Sequence, residues 1–199
     1  MALAEKIDGA ESESVAKSLD NLAALLWDGG DLAIAEQHYR RALEILERTK
    51  GPTHPDIGAL LFSLGSVLAE KGEIGEADAL LRREIAIVEA NEGDESASLV
   101  TRLQNIGVML RDAGKLDTAE ELLSRALKIG EKIHEATPIE FTPMLSAMGQ
   151  LRLLQKRFEE AESLLERCLK ILKAELDADN PRIKLVMERL GNARKKLHQ

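Results

Sequence analysis

Apolar residues recur along this chain with helical spacing. Leu19, Leu22, Ala23 and Leu26 stand at i, i+3, i+4 and i+7, the stripe of one buried helix face. The stripe returns as Leu61, Leu64, Gly65 and Leu68, and again as Leu103, Ile106, Gly107 and Leu110. A glycine turn follows each: Asp28-Gly29-Gly30-Asp31, Glu70-Lys71-Gly72-Glu73 and Asp112-Ala113-Gly114-Lys115. Glycine reaches positive φ without a Cβ penalty and so ends a helix there. A second stripe then begins, with Leu32, Ala35, Tyr39, Ala42 and Leu43 on one face. The pattern predicts nine helices, at roughly 14–28, 32–49, 55–70, 74–91, 96–112, 116–135, 138–154, 158–176 and 181–197.

These stripes belong to an internal repeat. Ala35-Glu36 recurs as Ala77-Asp78, Ala119-Glu120 and Ala161-Glu162, a step of 42 residues from Ala35 to Ala77. Leu43, Ile85, Leu127 and Leu169 keep the same step, as do Gly65, Gly107, Gly149 and Gly191. The units run 15–56, 57–98, 99–140 and 141–182, with a half unit at 183–199 and an N-terminal segment at 1–14. Each helix pair alone leaves apolar surface bare, so neighbours must stack to bury it. Small residues in the Gly65 and Gly107 column are expected to admit the Ala77 and Ala119 face of the second helix. Three residues break the columns. Glu84 replaces the small residue of Ala42, Ala126 and Cys168, Arg152 replaces the apolar residue of Leu26, Leu68 and Leu110, and Lys156 replaces the turn glycine. A lone buried charge is too costly, so Glu84 and Arg152 should be paired or locally exposed. Helix starts are expected at Thr53-His54-Pro55-Asp56, at the capping box Thr137-Pro138-Ile139-Glu140 and at Asn180-Pro181. Pro143 falls inside a predicted helix, which must start at Thr142 or kink there.

The first unit carries the fullest set of repeat motifs: Leu19-Asp20-Asn21-Leu22-Ala23, Ala35-Glu36, Tyr39-Arg40-Arg41-Ala42-Leu43-Glu44-Ile45 and Gly51-Pro52-Thr53-His54-Pro55-Asp56. These residues resemble the tetratricopeptide repeat in its 42-residue, kinesin-light-chain-like form, over residues 15–199. The resemblance implies an all-α fold: a right-handed α-solenoid, or superhelix, of antiparallel helix pairs closed by a C-terminal capping helix. It also implies a general protein-interaction platform. The motor-associated role does not follow, because the other parts of a kinesin light chain are missing from these residues.

Composition narrows the function classes. The formal net charge of −8 repels a backbone polyanion, which argues against nucleic acid and anionic membranes. The basic tail Arg194-Lys195-Lys196 reads as charge complementing the last turn of a helix. The single cysteine, Cys168, excludes an internal disulfide and reads as a buried structural thiol. No signal peptide and no apolar run of membrane-spanning length is visible, so the expectation is a cytoplasmic protein. There is no phosphate loop, no zinc-protease helix and no converging set of His38, His54, His134 and His198. The expectation is therefore no enzyme, no metal and no cofactor. Carboxylates such as Glu120-Glu121 and Glu159-Glu160 read as solvated surface.

The expected function is a scaffold or adaptor holding a peptide or partner protein in a concave groove lined by the first helices. Lys17, Asn21, Trp27, Phe62, Gln104, Asn105, Arg111, Gln150 and Asn192 are its candidate contacts. Side-chain amides offer donors and an acceptor together and grip an extended backbone, and the family resemblance places asparagines at the columns of Asn21 and Asn105. A chaperone-tail carboxylate clamp is disfavoured, because only Lys17, Asn21 and Arg111 supply parts of it and Asp20 and Asp28 lie among them. The alternatives are a self-associating structural unit (a homo-oligomer stacking end to end) and a regulatory or sensor domain of a larger assembly.

Overall fold

The computed structural model describes residues 11–133 and 138–198. Among these it contains nine α-helices and no strand: α1 Glu13–Asp28, α2 Leu32–Lys50, α3 Pro55–Glu70, α4 Ile74–Glu92, α5 Ala97–Asp112, α6 Leu116–Ile133, α7 Pro138–Leu154, α8 Phe158–Glu175 and α9 Pro181–Leu197. Every predicted helix is present. The expected end of α6 at residue 135 and the Thr137 cap lie outside the described residues. The chain divides into two compact units, Met1–Asp94 and Glu95–Gln199.

In the first unit α1 packs on α2 and α3 on α4, while α3 also touches both α2 and α1. The core is a single cluster that includes Leu19, Ala23, Ala35, Tyr39, Leu61, Leu64 and Ala77. Helix starts are chemically marked. Ser12 Oγ accepts from Val15 N–H, and His54 Nδ1 accepts from Asp56 N–H with Pro55 in the first turn. The turn glycines Gly30 and Gly72 hold φ of 84° and 83°, the left-handed conformation that the repeat requires at that column.

In the second unit the pairs are α5 with α6 and α7 with α8. Helix α9 packs on α8, and first helices meet each other along α5, α7 and α9. Ser96 and Asn180 cap α5 and α9. Gly114 keeps φ at 78°, whereas Lys156 adopts φ of 60° in the same column, so the turn is retained although a side chain opposes it.

Close approach between paired helices rests on the glycine column. Ala35, Ala77, Ala119 and Ala161 are fully buried. The atoms pressed onto the glycines belong to leucines four residues further on. A Cβ on Gly65, Gly107 or Gly149 would sit 2.8, 2.7 or 2.8 Å from Cγ of Leu81, Leu123 or Leu165. No real Cβ tolerates that distance, so glycine is required at these three positions, whereas the first pair carries Ala23 in the same column. Gly191 in α9 has the same place in the period and nothing within 4 Å.

Pro143 neither starts α7 nor interrupts its span. Proline lacks the N–H that would bond to the Ile139 carbonyl, and the Thr142 hydroxyl donates to that carbonyl instead, at 2.7 Å. Both misfit charges are buried. Arg152 is buried and reaches Glu120 Oε1 at 2.7 Å and Gln155 Oε1 at 2.6 Å through Nη1. Its Nε lies 3.1 Å from Glu160 Oε2, an ion contact without hydrogen-bond alignment. Glu84 is fully buried, so local exposure is not its explanation. Its Cγ packs beside Gly58, 3.8 Å from where a Cβ on that glycine would stand.

Candidate functional site

The first helices of the first unit carry Lys17, Asn21, Trp27 and Phe62. Lys17 lines a cavity of about 470 Å³ with Glu13, Asp20, Lys50 and Asp56. In that cavity Lys50 Nζ bridges Glu13 at 3.0 Å and Asp56 at 2.6 Å. Burial raises the Asp20 carboxyl above its ordinary value. Asn21 is exposed on α1 and Phe62 is half-buried on α3. Trp27 packs against the core cluster, and its Nε1–H donates to Glu70 Oε2 at 2.7 Å. Its ring is thus partly committed to joining the C-terminal ends of α1 and α3.

Three of the five candidates in the second unit share a cavity. Gln104 and Arg111 from α5 and Gln150 from α7 line one cavity of about 310 Å³. Val108, Pro143 and Ala147 supply apolar wall, while Cys168 and Leu172 enter from α8. Asn105 is exposed on α5 and does not line this cavity. Asn192 lies elsewhere, in a cavity of about 560 Å³ with Leu153, Leu154, Lys156, Phe158 and Lys196. Arg182 and Arg189 of α9 also line the first cavity. Arg189 stands in the column of Asn21, Ser63, Asn105 and Ala147, which holds the candidate contacts Asn21 and Asn105. Arg182 precedes the core stripe of its helix and left no periodic signal.

A hydrogen-bond chain holds these arginines. Thr142, whose hydroxyl serves the proline gap, accepts from Arg182 Nη2 at 2.5 Å. Ser146 Oγ accepts from Arg189 Nη1 at 2.5 Å. Arg111 is buried and shares Asp112 Oδ1 between Nε at 2.9 Å and Nη2 at 2.8 Å. Burial, then the neighbouring Arg111 charge, lowers the Arg189 pKa from its ordinary value. The Cys168 thiol donates to the Thr142 carbonyl at 3.4 Å and is pushed up to about 11 by burial, so it stays a neutral structural group.

Glu120 is not the solvated carboxylate expected from the sequence. Its oxygens accept from Gln155 Nε2 at 2.7 Å and Arg157 Nη1 at 2.9 Å besides pairing with Arg152. It ties α6 to the end of α7 and the start of α8. In the tail, Arg194 has carboxylate partners rather than only a helix end, pairing with Glu162 at 2.7 Å and Glu166 at 2.5 Å. Among the described residues no group of three or more His, Cys, Asp or Glu side chains is disposed to hold a metal ion. No helix among them is long and apolar enough to cross a membrane.

Comparison with known proteins agrees with this architecture. Residues 1–48 and 14–90 match one family model and residues 99–138 and 145–182 another, both described as tetratricopeptide repeat. No curated protein sequence matches the chain. A crystal structure of nearly identical TPR-like repeats, assigned to a kinesin light chain of Podosopora anserina, superposes with a TM-score of 0.80 at 21% identity, over 94% of this chain and 89% of that one. BtubC (BKLC) from P. vanneervenii gives 0.76 at 20% identity, covering 99% and 78%. Pseudomonas aeruginosa pilF gives 0.58 at 20% identity, covering 93% and 74%. At these identities the likeness concerns the fold.

Proposed function

The chain belongs to the tetratricopeptide-repeat family, whose members are generally protein-interaction modules, and from that premise we propose that it is a non-catalytic scaffold that holds an extended segment of a partner protein against its first helices. The observation that carries this reading is the cavity of the second unit. It combines amides from Gln104 and Gln150, which can pair with a peptide backbone, with the apolar side chains of Val108, Pro143 and Ala147. The second helices offer a different surface. Arg40 and Arg82 there are already paired with Glu36 and Asp78, and stripping water from so charged a wall costs more than it returns.

Site-specific photo-crosslinking tests the reading. A photoreactive residue at position 150 should trap a partner in native lysate, and one at position 82 should not. Gln104→Ala with Gln150→Ala should weaken that partner by about 1–3 kcal/mol, at about 0.5–1.5 kcal/mol for each neutral hydrogen bond lost. Trapping confined to position 82, with the double variant binding as wild type, would move the site to the second helices.

A further inference from the structure

The turns that join the two helices of a pair share one place in the period, yet the first and the fourth carry opposite chemistry. The first reads Asp28-Gly29-Gly30-Asp31 and the fourth Leu154-Gln155-Lys156-Arg157. Carboxylates at these columns in the second and third pairs are answered within the chain. Glu70 accepts from Trp27, Glu73 pairs with Lys71, and Asp112 pairs with Arg111. Asp28 and Asp31 are exposed and have no ion pair among the described residues, and the Asp31 side chain does not cap α2. Leu25 and Ile34 flank them, three residues before Asp28 and three after Asp31. Both are bare, at 69% and 46% exposure. In later pairs these columns are covered or engaged: Val67 and Leu151 are buried in the Leu25 column, and Glu76 in the Ile34 column reaches Arg40 of the preceding pair at 2.8 Å. The first turn is thus an acidic edge with two uncovered aliphatic side chains.

The fourth turn borders the cavity of about 560 Å³, which Leu153, Leu154, Phe158, Lys156 and Lys196 line and no carboxylate does. Leu154 is 54% exposed, although acids hold its column in the three earlier pairs. Lys156 is disfavoured twice by its own surroundings. Its φ of 60° opposes a residue with a Cβ, and its charge stands just before the positive N-terminal end of α8. Among the described residues it has no ion pair to offset either cost. Of the five large apolar side chains exposed among the described residues, Leu25, Ile34 and Leu154 fall at these two turns. We propose that the cavity beside the fourth turn receives the first turn of a second copy of this chain. Leu25 and Ile34 enter against Leu153, Leu154 and Phe158, for which a cavity of that volume has room, while Asp28 and Asp31 meet Lys156 and Lys196. The two surfaces differ, so the contact is heterologous, and every copy keeps one edge and one cavity free for a further neighbour. An anionic membrane is disfavoured as the occupant, because a chain of net charge −8 is repelled by it.

Sedimentation velocity of the full chain from about 10 to about 500 µM tests this. The weight-average mass should climb past that of a dimer as concentration rises, and added salt should lower it. Leu154→Asp keeps the first turn intact, and Leu25→Asp keeps the cavity intact. Each variant alone should stay monomeric. Mixed in equal amounts they should form a one-to-one dimer and nothing larger, because the intact turn of one meets the intact cavity of the other. Both positions are exposed, and helical circular dichroism with melting temperature confirms that the variants fold. Lys156→Gly should weaken the association about twofold to fivefold while raising the melting temperature. A wild-type chain that stays monomeric over the whole range would overturn the proposal, and a photo-crosslink from position 154 to a different protein would then assign the cavity to that occupant. Association that survives in either aspartate variant, or a mixture of the two that stays monomeric, would equally rule out this pairing of surfaces.

Discussion

Glu36 in the first unit and Glu120 in the second occupy the same column of the repeat, 84 residues apart, and different chemistry answers them. Glu36 is held by Lys71 from the end of α3 and by Arg40 at 2.7 Å on its own helix. Each of those cations has a second carboxylate, Glu73 for Lys71 and Glu76 for Arg40. Glu120 is held by Gln155 at the Lys71 column, by Arg157, and by Arg152, whose side chain is only 9% exposed. In both, a carboxylate at the start of one second helix meets the end of the next first helix. The period does not dictate which donor stands there. Where a lysine gave way to a neutral glutamine, the cation moved into the apolar column as Arg152.

That difference has a measurable size. Glu120→Ala leaves the buried Arg152 with Gln155 and an ill-aligned Glu160, and should cost about 2–3 kcal/mol, below the range for a fully buried pair because Arg157 keeps solvent access. Glu36→Ala leaves partly exposed cations that retain partners and should cost under about 1 kcal/mol. Equal costs in urea denaturation would erase the distinction between the two staples.

Packing columns should show the opposite, namely equality between units. Gly65→Ala and Gly149→Ala each drive a Cβ to 2.8 Å from a leucine Cγ, and both should cost about 1–3 kcal/mol. Gly191→Ala, with nothing within 4 Å, should instead gain about 0.5–1 kcal/mol from helix propensity. Thermal melts that rank Gly191→Ala with the other two would refute the steric account.

Turns supply a smaller contrast. Lys156 holds φ of 60° where Gly72 holds 83°. Lys156→Gly should therefore gain about 1 kcal/mol, whereas Gly72→Ala should lose a similar amount. A lower melting temperature for Lys156→Gly would show that its side chain contributes more than its backbone costs.

The smallest effect concerns pH. Both staple carboxylates titrate below their ordinary value of 4.5. For Glu36 the hydrogen bond from Lys71 leads. For Glu120 burial pushes upward, and hydrogen bonds from Gln155 and Arg152 outweigh it. A depressed folded pKa means that the unfolded chain takes up protons first. The stabilisation is therefore complete above the ordinary carboxylate range and is lost as pH falls through the folded values. Arg152→Leu should flatten the acid limb of the melting-temperature profile. Lys71→Met should flatten it comparably by acting on Glu36, and an unchanged limb in both would show that other carboxylates set acid stability.

The sequence alone determined the helices, their pairing and the buried columns, because a 42-residue period repeats the same steric demand at the same place: Ala119 must be small and Leu103 must be apolar wherever the pair is built. It also marked Arg152 and Lys156 as departures. Only the tertiary structure decided what those departures do. Arg152 finds Glu120 across 32 residues, Thr142 fills the gap left by Pro143, and Arg182 and Arg189 of the final helix close on Arg111 of α5 to make a cationic cavity. None of these is periodic. Columns record the contacts that every pair shares, whereas a binding site is made by side chains that differ from copy to copy, and their meeting depends on distances that no spacing along the chain encodes.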